Sequence, residues 1–169
     1  MVFYYYHFTT TTTTTTTGHQ PLHHSTHTPG VVTALYLASG DGRVSDQETG
    51  KQDEIDFEFL GNNPTKVQTN VFMAGDESAE LIEIGSDSSK TEHTYAIQWD
   101  SNRVQFFIDG RLVRTRWMLR RLKPLKFHLS IWTTSGGWPG VIQWAGETKW
   151  ESRNLEPATA SFQVISMPN

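Results

Sequence analysis

The sequence predicts an all-β fold, a sandwich or barrel of short strands. Runs of β-branched and aromatic residues recur at intervals of about ten residues, each bounded by turn residues. Extended helical periodicity is absent, and Asp109-Gly110 between two apolar runs is a strong hairpin signal. The length of 169 residues suits one domain, and 36% hydrophobic residues with 13 glycines are enough for a folded core.

Composition excludes several classes of protein. The chain has no cysteine, which excludes disulfide scaffolds, cysteine-ligated zinc and a cysteine nucleophile. A net charge of −4 argues against a protein built to bind nucleic acid. No apolar run approaches the roughly 18 residues that span a bilayer. We expect a monomer with no cofactor, no metal, no nucleic-acid partner and no transmembrane segment.

Residues 1–29 are predicted to be a low-complexity, disordered head. Their opening apolar run is short and lacks a basic segment, so it is a poor secretory signal. A threonine tract at 9–17 and a histidine-rich stretch follow, without any periodicity that could be buried. The folded domain is therefore predicted to cover residues 30–169.

Within that domain the strands follow one another in order. The first, 31–37, is β-branched and aromatic and is predicted to be buried. Residues 39–51 are predicted to be a glycine-marked loop, and residues 134–152 a second loop region that is rich in tryptophan. The remaining strands are predicted at 53–60, 66–73, 80–84, 92–99, 104–109, 111–117, 125–133 and 160–166.

Seven of the 14 basic residues lie between positions 111 and 126. A nucleic-acid surface is one interpretation of this cluster. Several members alternate with apolar residues at strand spacing, however, which favours a solvated outer face.

The strand 53–60 carries three carboxylates on one face. Glu54, Asp56 and Glu58 alternate with apolar residues that point into the core. A solvated acidic face and a Ca²⁺ site are two interpretations, although a straight strand supplies ligands from one direction only. The third is a glycosidase pair, in which one carboxylate is the nucleophile and another is a protonated acid. The middle carboxylate can then orient the nucleophile, and its charge helps to keep the acid protonated.

Tryptophans near glycines support a sugar ligand. Four of the six tryptophans fall between positions 132 and 150. Sugar rings present C–H faces that stack on flat apolar surfaces. We therefore expect Trp132 and Trp138 to contact the ligand and Trp99 to be a core residue.

The segment 53–62, Asp-Glu-Ile-Asp-Phe-Glu-Phe-Leu-Gly-Asn, resembles the catalytic strand of glycoside hydrolase family 16. Within that family it is most similar to the plant xyloglucan endotransglucosylase/hydrolases and the fungal Crh-like transglycosylases. The resemblance extends over about residues 30–166, and further matches are Gly30 to Leu37, Gln68-Thr69-Asn70, His93-Thr94-Tyr95 with Trp99, and Ser130-Ile131-Trp132 with the segment 137–150.

The resemblance implies a concanavalin A-like β-jelly roll with a substrate cleft across its concave sheet. It also implies a retaining, double-displacement hydrolase or transglycosylase acting on β-linked cell-wall glucans outside the cell. Glu54 would be the nucleophile, Asp56 its helper and Glu58 the acid/base. Matching positions place Gln68, Asn70 and Trp132 on the donor side of the cleft, with Trp138 as a looser match.

Several positions depart from the family pattern. Plant members usually carry histidine where this chain has Gln52, and the glycosylation site after the strand is replaced by Asn63-Pro64-Thr65. The substrate therefore stays open between xyloglucan and fungal wall β-glucan or chitin. The resemblance also implies strands before Val31, so we expect a domain that lacks its first strands, and a catalytically impaired carbohydrate-binding relic is the alternative function.

Overall fold

The computed structural model describes residues 29–40 and 52–148, together with the backbone of two further strands at 2–9 and 161–166. The described strands pair in two antiparallel sheets of five. In chain order the elements are β1 Val2–Thr9, β2 Val31–Ala38, β3 Asp53–Leu60, β4 Lys66–Met73, β5 Asp76–Glu83, β6 His93–Trp99, β7 Arg103–Ile108, β8 Arg111–Trp117, β9 Lys126–Thr133, helix α1 Pro139–Ala145 and β10 Ser161–Ser166.

One sheet has the order β10-β1-β6-β7-β8 and the other β5-β4-β3-β2-β9. Their facing sides meet in a core of alternate strand residues, as strand periodicity requires. Phe57 of β3 sits at its centre, with ring centroids 5.3 Å from Tyr95 and 5.2 Å from Phe106 of the opposite sheet. These edge-on contacts fix one sheet against the other and confirm the predicted all-β sandwich.

Most predicted strands agree with the structure to within one residue, and the Asp109-Gly110 hairpin is confirmed. Both turn residues have positive φ, 51° and 76°, as a type I′ turn requires. Strand β5 begins at Asp76, earlier than the predicted 80–84. A second tight turn at Ala74-Gly75 is followed at once by β5. The first residues of β5 are polar because this strand lies at a sheet edge, so they lack the apolar alternation by which a strand is predicted.

Two elements were not predicted. Helix α1 lies inside the predicted loop 134–152; its seven residues are too few to show a helical period, and Pro139 at its start is a residue that also marks turns. Strand β1 lies inside the predicted head and pairs with β6 and β10, so the prediction of a head without regular structure was wrong for residues 2–9. The rest of the head (10–28), most of the predicted loop 39–51 and Trp150 lie outside the described residues.

The predicted solvated face of basic residues is wrong for Arg114. Its side chain, 8% exposed, extends from β8 across the open side of the sandwich to β4 and β5. Nη1 donates to the carbonyl and the hydroxyl of Thr69, both at 2.8 Å, and Nη2 donates to the carbonyl and hydroxyl of Ser78 at 2.6 and 2.9 Å. Nε lies 3.1 Å from Glu80. A guanidinium satisfied in this way can be buried, and it joins the two sheets.

Helix α1 is too short to cross a bilayer, and no other helix in the described parts of the chain could do so.

Candidate active site

Strand β3 lies at the middle of its sheet and carries the three predicted carboxylates on the face away from the core. Directly paired residues share a face, so the register shows what surrounds them. On β4, Glu58 faces Gln68, Asp56 faces Asn70, and Glu54 faces Phe72. On β2, the pairs of Asp56 and Glu54 are Tyr36 and Ala38. The structure therefore brings the predicted residues Gln68 and Asn70 beside the carboxylates.

At one end of this row, Glu58 is tied to a tryptophan pair through Gln68. The amide of Gln68 donates to Glu58 Oε2 at 2.9 Å, and its oxygen accepts from Trp144 Nε1 at 2.8 Å. The ring of Trp144 stacks on Trp132, with centroids 5.9 Å apart. Trp132 is partly exposed, so the pair presents a flat apolar wall next to Glu58.

Asp56, at the centre, is 2% exposed. Its Oδ1 and that of Asn70 have no hydrogen-bond partner among the described residues. Asn70 Nδ2 donates to Glu77 Oε1 of β5 at 3.3 Å, which adds a fourth carboxylate to this face. Three acidic neighbours thus surround the buried Asp56 carboxyl on two strands.

At the other end, Gln52 just before β3 is fully buried and its amide donates to Glu54 Oε2. This amide holds the carboxylate from the position where histidine is usual in the plant proteins. On β2 beside Asp56, the ring of Tyr36 stacks on His128 of β9 at 4.8 Å. Nε2 of His128 is buried without a partner in the described residues.

The start of β3 is anchored by Asp53, which is completely buried. Both of its carboxylate oxygens accept from Arg120, with 2.9 Å for the Nη1 contact, and Oδ2 also accepts from the backbone N–H of Lys123 at 2.9 Å. Burial alone would raise the pKa of Asp53, but these bonds and the two cations hold it below its usual value. The carboxylate is therefore ionised, and it ties the segment before β9 to the strand that carries the site.

Burial and like charge raise the pKa of two of the three carboxyls. For Asp56 the pKa is raised well above its usual value, first by burial and then by Glu58, Glu54 and Glu77, while Arg114 behind the sheet opposes the shift. For Glu58 the pKa is raised to about 7 by burial and by the charges of Glu54 and Glu77, against the bond from Gln68. Both carboxyls therefore hold a proton more readily than free acids do.

The pKa of Glu58 is raised, as expected, but the groups that raise it differ from the expected ones. We expected an ionised Asp56 to keep Glu58 protonated. Instead, the pKa of Asp56 is itself raised, first by its burial, and the charges of Glu54 and Glu77 raise the pKa of Glu58. Sequence reasoning missed Glu77 because β5 was predicted to begin at residue 80; the short turn at Ala74-Gly75 is the signal that would have found it.

The remaining predicted tryptophan, Trp138, lies apart from this row. It is 70% exposed, and its ring covers Gly140 at the start of α1. Within the described residues, no hydrogen bond or ring contact joins it to the carboxylates. Trp144, by contrast, was noted in the sequence only as one of four clustered tryptophans, and it occupies the position beside Gln68. Trp99 packs partly buried against the core, as expected.

Within the parts of the chain that the structure describes, no group of three or more His, Asp or Glu side chains is placed to hold a metal ion. The acidic row is a candidate for acid–base and nucleophilic chemistry because its carboxyls share one strand face and the pKa values of Asp56 and Glu58 are raised.

Comparison with known proteins shows the family to which the chain belongs. The family described as "Glycosyl hydrolases family 16" matches residues 9–153, and the chain belongs to that family. A protein named beta-glucanase from Bacillus subtilis (strain 168) is 36% identical over 120 residues, which cover 69% of this chain and 45% of the relative. A xyloglucan endotransglucosylase/hydrolase from Brassica oleracea var. botrytis is 38% identical over 116 residues, covering 62% and 37%.

The crystal structure of an apo Crh5 transglycosylase superimposes with a TM-score of 0.70 at 25% identity, over 96% of this chain and 60% of that one. The fold is therefore the jelly-roll sandwich of this family, as the resemblance implied. The chain spans less than half the length of the two named relatives.

Proposed function

We propose that this chain acts as a retaining glycoside hydrolase or transglycosylase on β-linked glucans of cell walls, outside the cell. The observation that carries the proposal is the row of Glu54, Asp56 and Glu58 on one strand, in which the pKa of Glu58 is raised to about 7. A retaining mechanism needs one ionised carboxylate and one protonated carboxyl that both reach the glycosidic bond, and a carboxyl of this pKa is still largely protonated in mildly acid solution.

In this mechanism Glu54 attacks the anomeric carbon while Glu58 donates its proton to the leaving glycosidic oxygen. The glycosyl ester on Glu54 is then attacked by water, which gives hydrolysis, or by a sugar hydroxyl, which gives transfer. Glu58, now ionised, takes the proton of the incoming group. Asp56 between them serves as the helper, because its raised pKa favours the protonated carboxyl, which can donate a hydrogen bond without adding a repelling charge.

Substrate binding is assigned to the side chains around the carboxylates. Trp132 with Trp144 offers a stacking surface beside Glu58, and the amides of Gln68 and Asn70 supply hydrogen bonds to sugar hydroxyls. Trp138, exposed near the same loop, is a further candidate contact. The names of the relatives point to a β-glucan or xyloglucan polymer as the substrate.

The test of the reaction class is the stereochemistry of the first product. The purified chain is incubated with barley β-glucan and, separately, with xyloglucan and labelled xyloglucan oligosaccharides, and early products are followed by proton NMR and by label transfer. We expect a newly formed reducing end in the β configuration. A product that first appears as the α anomer would contradict the double displacement, and binding without any turnover would favour the carbohydrate-binding alternative.

A second expectation concerns pH. The acid form of Glu58 is required, so kcat/KM should fall as the pH rises through about 7, the pKa of that carboxyl. Replacing Glu77 by glutamine removes a like charge that raises this pKa, so the descending limb should move to lower pH.

The matched control for that variant is Glu83→Gln, on the same strand but paired with Lys66 at 2.8 Å, which should leave the limb in place. If the descending limbs of the two kcat/KM profiles fall at the same pH in the wild type and in Glu77→Gln, Glu77 does not raise the pKa of Glu58.

A further inference from the structure

A second cluster of reactive side chains lies where the segment after β5, the start of β6 and the turn between β7 and β8 meet. The Oγ of Ser86 is 2.7 Å from Nε2 of His93, and Nδ1 of the same ring is 2.7 Å from Oδ2 of Asp109. Ser86 follows β5, His93 begins β6, and Asp109 lies in the turn between β7 and β8. Three segments thus meet in a continuous serine–histidine–aspartate chain of hydrogen bonds.

The order of atoms in this chain sets the direction of its hydrogen bonds. An ionised carboxylate only accepts, so Nδ1 carries the ring proton and donates it to Asp109. Nε2 of the neutral ring is then an acceptor for the Ser86 hydroxyl. This is the tautomer in which histidine can take the serine proton as a general base.

The aspartate is held firmly in this position. Its Oδ1 accepts from the backbone N–H of Thr94 at 2.8 Å, and its own N–H donates to the Thr94 carbonyl at 2.8 Å. The His93 ring is buried, with Tyr95 against its edge, so its plane is fixed as well. Base and orienting group are therefore preorganised, as an activated nucleophile requires.

The serine itself is accessible. Ser86 is half-buried, and the residue before it, Gly85, has a φ of +101° with no atom within 4 Å of the place where a Cβ would be. Gly85 is itself exposed, so the segment that carries Ser86 lies at the surface, whereas His93 is buried.

This cluster is separate from the acidic row. Glu83, the last residue of β5, pairs with Lys66, whereas Gln68 beside Glu58 pairs with Leu81. Ser86 lies three positions beyond Glu83 in a different segment. In the described residues no hydrogen bond connects Ser86, His93 or Asp109 to the three carboxylates of β3, so the cluster has no part in the glycosidase mechanism.

We propose that Ser86 is an activated nucleophile, with His93 as its base and Asp109 as the positioning residue, and that it reacts with carboxylic esters. Ser86 Oγ attacks the ester carbonyl carbon as its proton passes to His93 Nε2; the C–O bond to the leaving group then breaks, His93 gives that proton to the departing alkoxide, which leaves as the alcohol, and the acyl group stays on Ser86. Water then attacks the acyl carbon, loses a proton to His93 and releases the acid, which restores the Ser86 hydroxyl.

The experiment uses the full chain with phenylmethylsulfonyl fluoride and with p-nitrophenyl acetate. The sulfonyl fluoride forms an Oγ–S bond and loses fluoride, and the site of attachment is located by peptide mass spectrometry. We expect one label per chain, on Ser86, and release of p-nitrophenolate that stops once the label is attached. Ser86→Ala should lose both. Ser89→Ala is the matched control, because Ser89 is half-buried in the same segment but bonds to Asp87 rather than to a histidine.

Asp109→Asn tests the positioning role without removing the side chain. The amide can donate to Nδ1 and so favour the wrong tautomer, and the analogous change lowers kcat by about 10⁴-fold in a serine protease. We expect a fall of at least about tenfold in kcat for p-nitrophenyl acetate with KM unchanged, in a variant whose thermal unfolding shows that it is folded. Labelling at Ser89 or elsewhere, no labelling, or a folded Asp109→Asn variant with wild-type kcat would overturn the proposal.

Discussion

Glu54→Gln should abolish turnover of β-glucan, with kcat reduced by at least about 10³-fold, while oligosaccharide binding persists. The amide has almost the shape of the carboxylate but no negative charge, so its oxygen is far too weak a nucleophile to attack the anomeric carbon. Gln52 already donates to this side chain, and an amide oxygen at position 54 can still accept that bond. Turnover is measured by release of reducing ends, and binding by titration calorimetry with a glucan oligosaccharide.

The two glutamates can be distinguished by rescue with azide. Glu54→Ala, supplied with an aryl β-glycoside and azide, should yield the α-glycosyl azide, because azide enters from the side that the nucleophile has vacated. Glu58→Ala should yield the β-glycosyl azide, because azide then attacks the ester on Glu54. If Glu54→Ala gave the β-glycosyl azide and Glu58→Ala the α-glycosyl azide, Glu58 would be the nucleophile and Glu54 the acid/base. Wild-type turnover in Glu54→Gln would exclude the mechanism altogether.

Arg114→Met should lower the free energy of unfolding by about 3 kcal/mol. The substitution keeps most of the side-chain volume but leaves the carbonyls and hydroxyls of Thr69 and Ser78 without their donor. Denaturant unfolding measures the change. Because Thr69 directly precedes Asn70 on β4, the loss is expected at the back of the candidate active site.

Arg116→Met is the matched control, two positions along the same strand. Arg116 is partly exposed and bonds only to Asp76 at 3.0 Å among the described residues, so its removal should cost no more than about 1 kcal/mol. Equal destabilisation by the two variants would mean that the buried guanidinium does not join the sheets in the way described.

The strands and the acidic row were predictable because they rest on local patterns. Alternation over two residues is enough to place Glu54, Asp56 and Glu58 on one face, whatever the rest of the chain does. The two-residue turn at Asp109-Gly110 is likewise encoded by adjacent residues.

The remaining features depend on contacts between distant residues, which no local pattern contains. Arg114 has the same strand spacing as its exposed neighbours, and only the approach of β4 and β5 makes it a buried bridge. The raised pKa of Asp56 follows first from burial, then from Glu58 and Glu54, and also from Glu77, two strands away. The sequence does not distinguish Trp144 from the neighbouring tryptophans. Only the position of α1 in the fold brings its indole N–H to Gln68.

The position of Trp144 depends in turn on Gly30. The N–H of Gly30 donates to the Ala145 carbonyl at 2.7 Å, and a Cβ at Gly30 would lie 2.3 Å from the nitrogen of Thr148. The two ends of this contact are far apart in sequence, so its closure carries a large entropic cost and it is expected to form after the central strands have paired. Local opening there should free the tryptophan pair while β3 stays paired on both sides, so the three carboxyls should keep their places after the proposed sugar-stacking surface is lost.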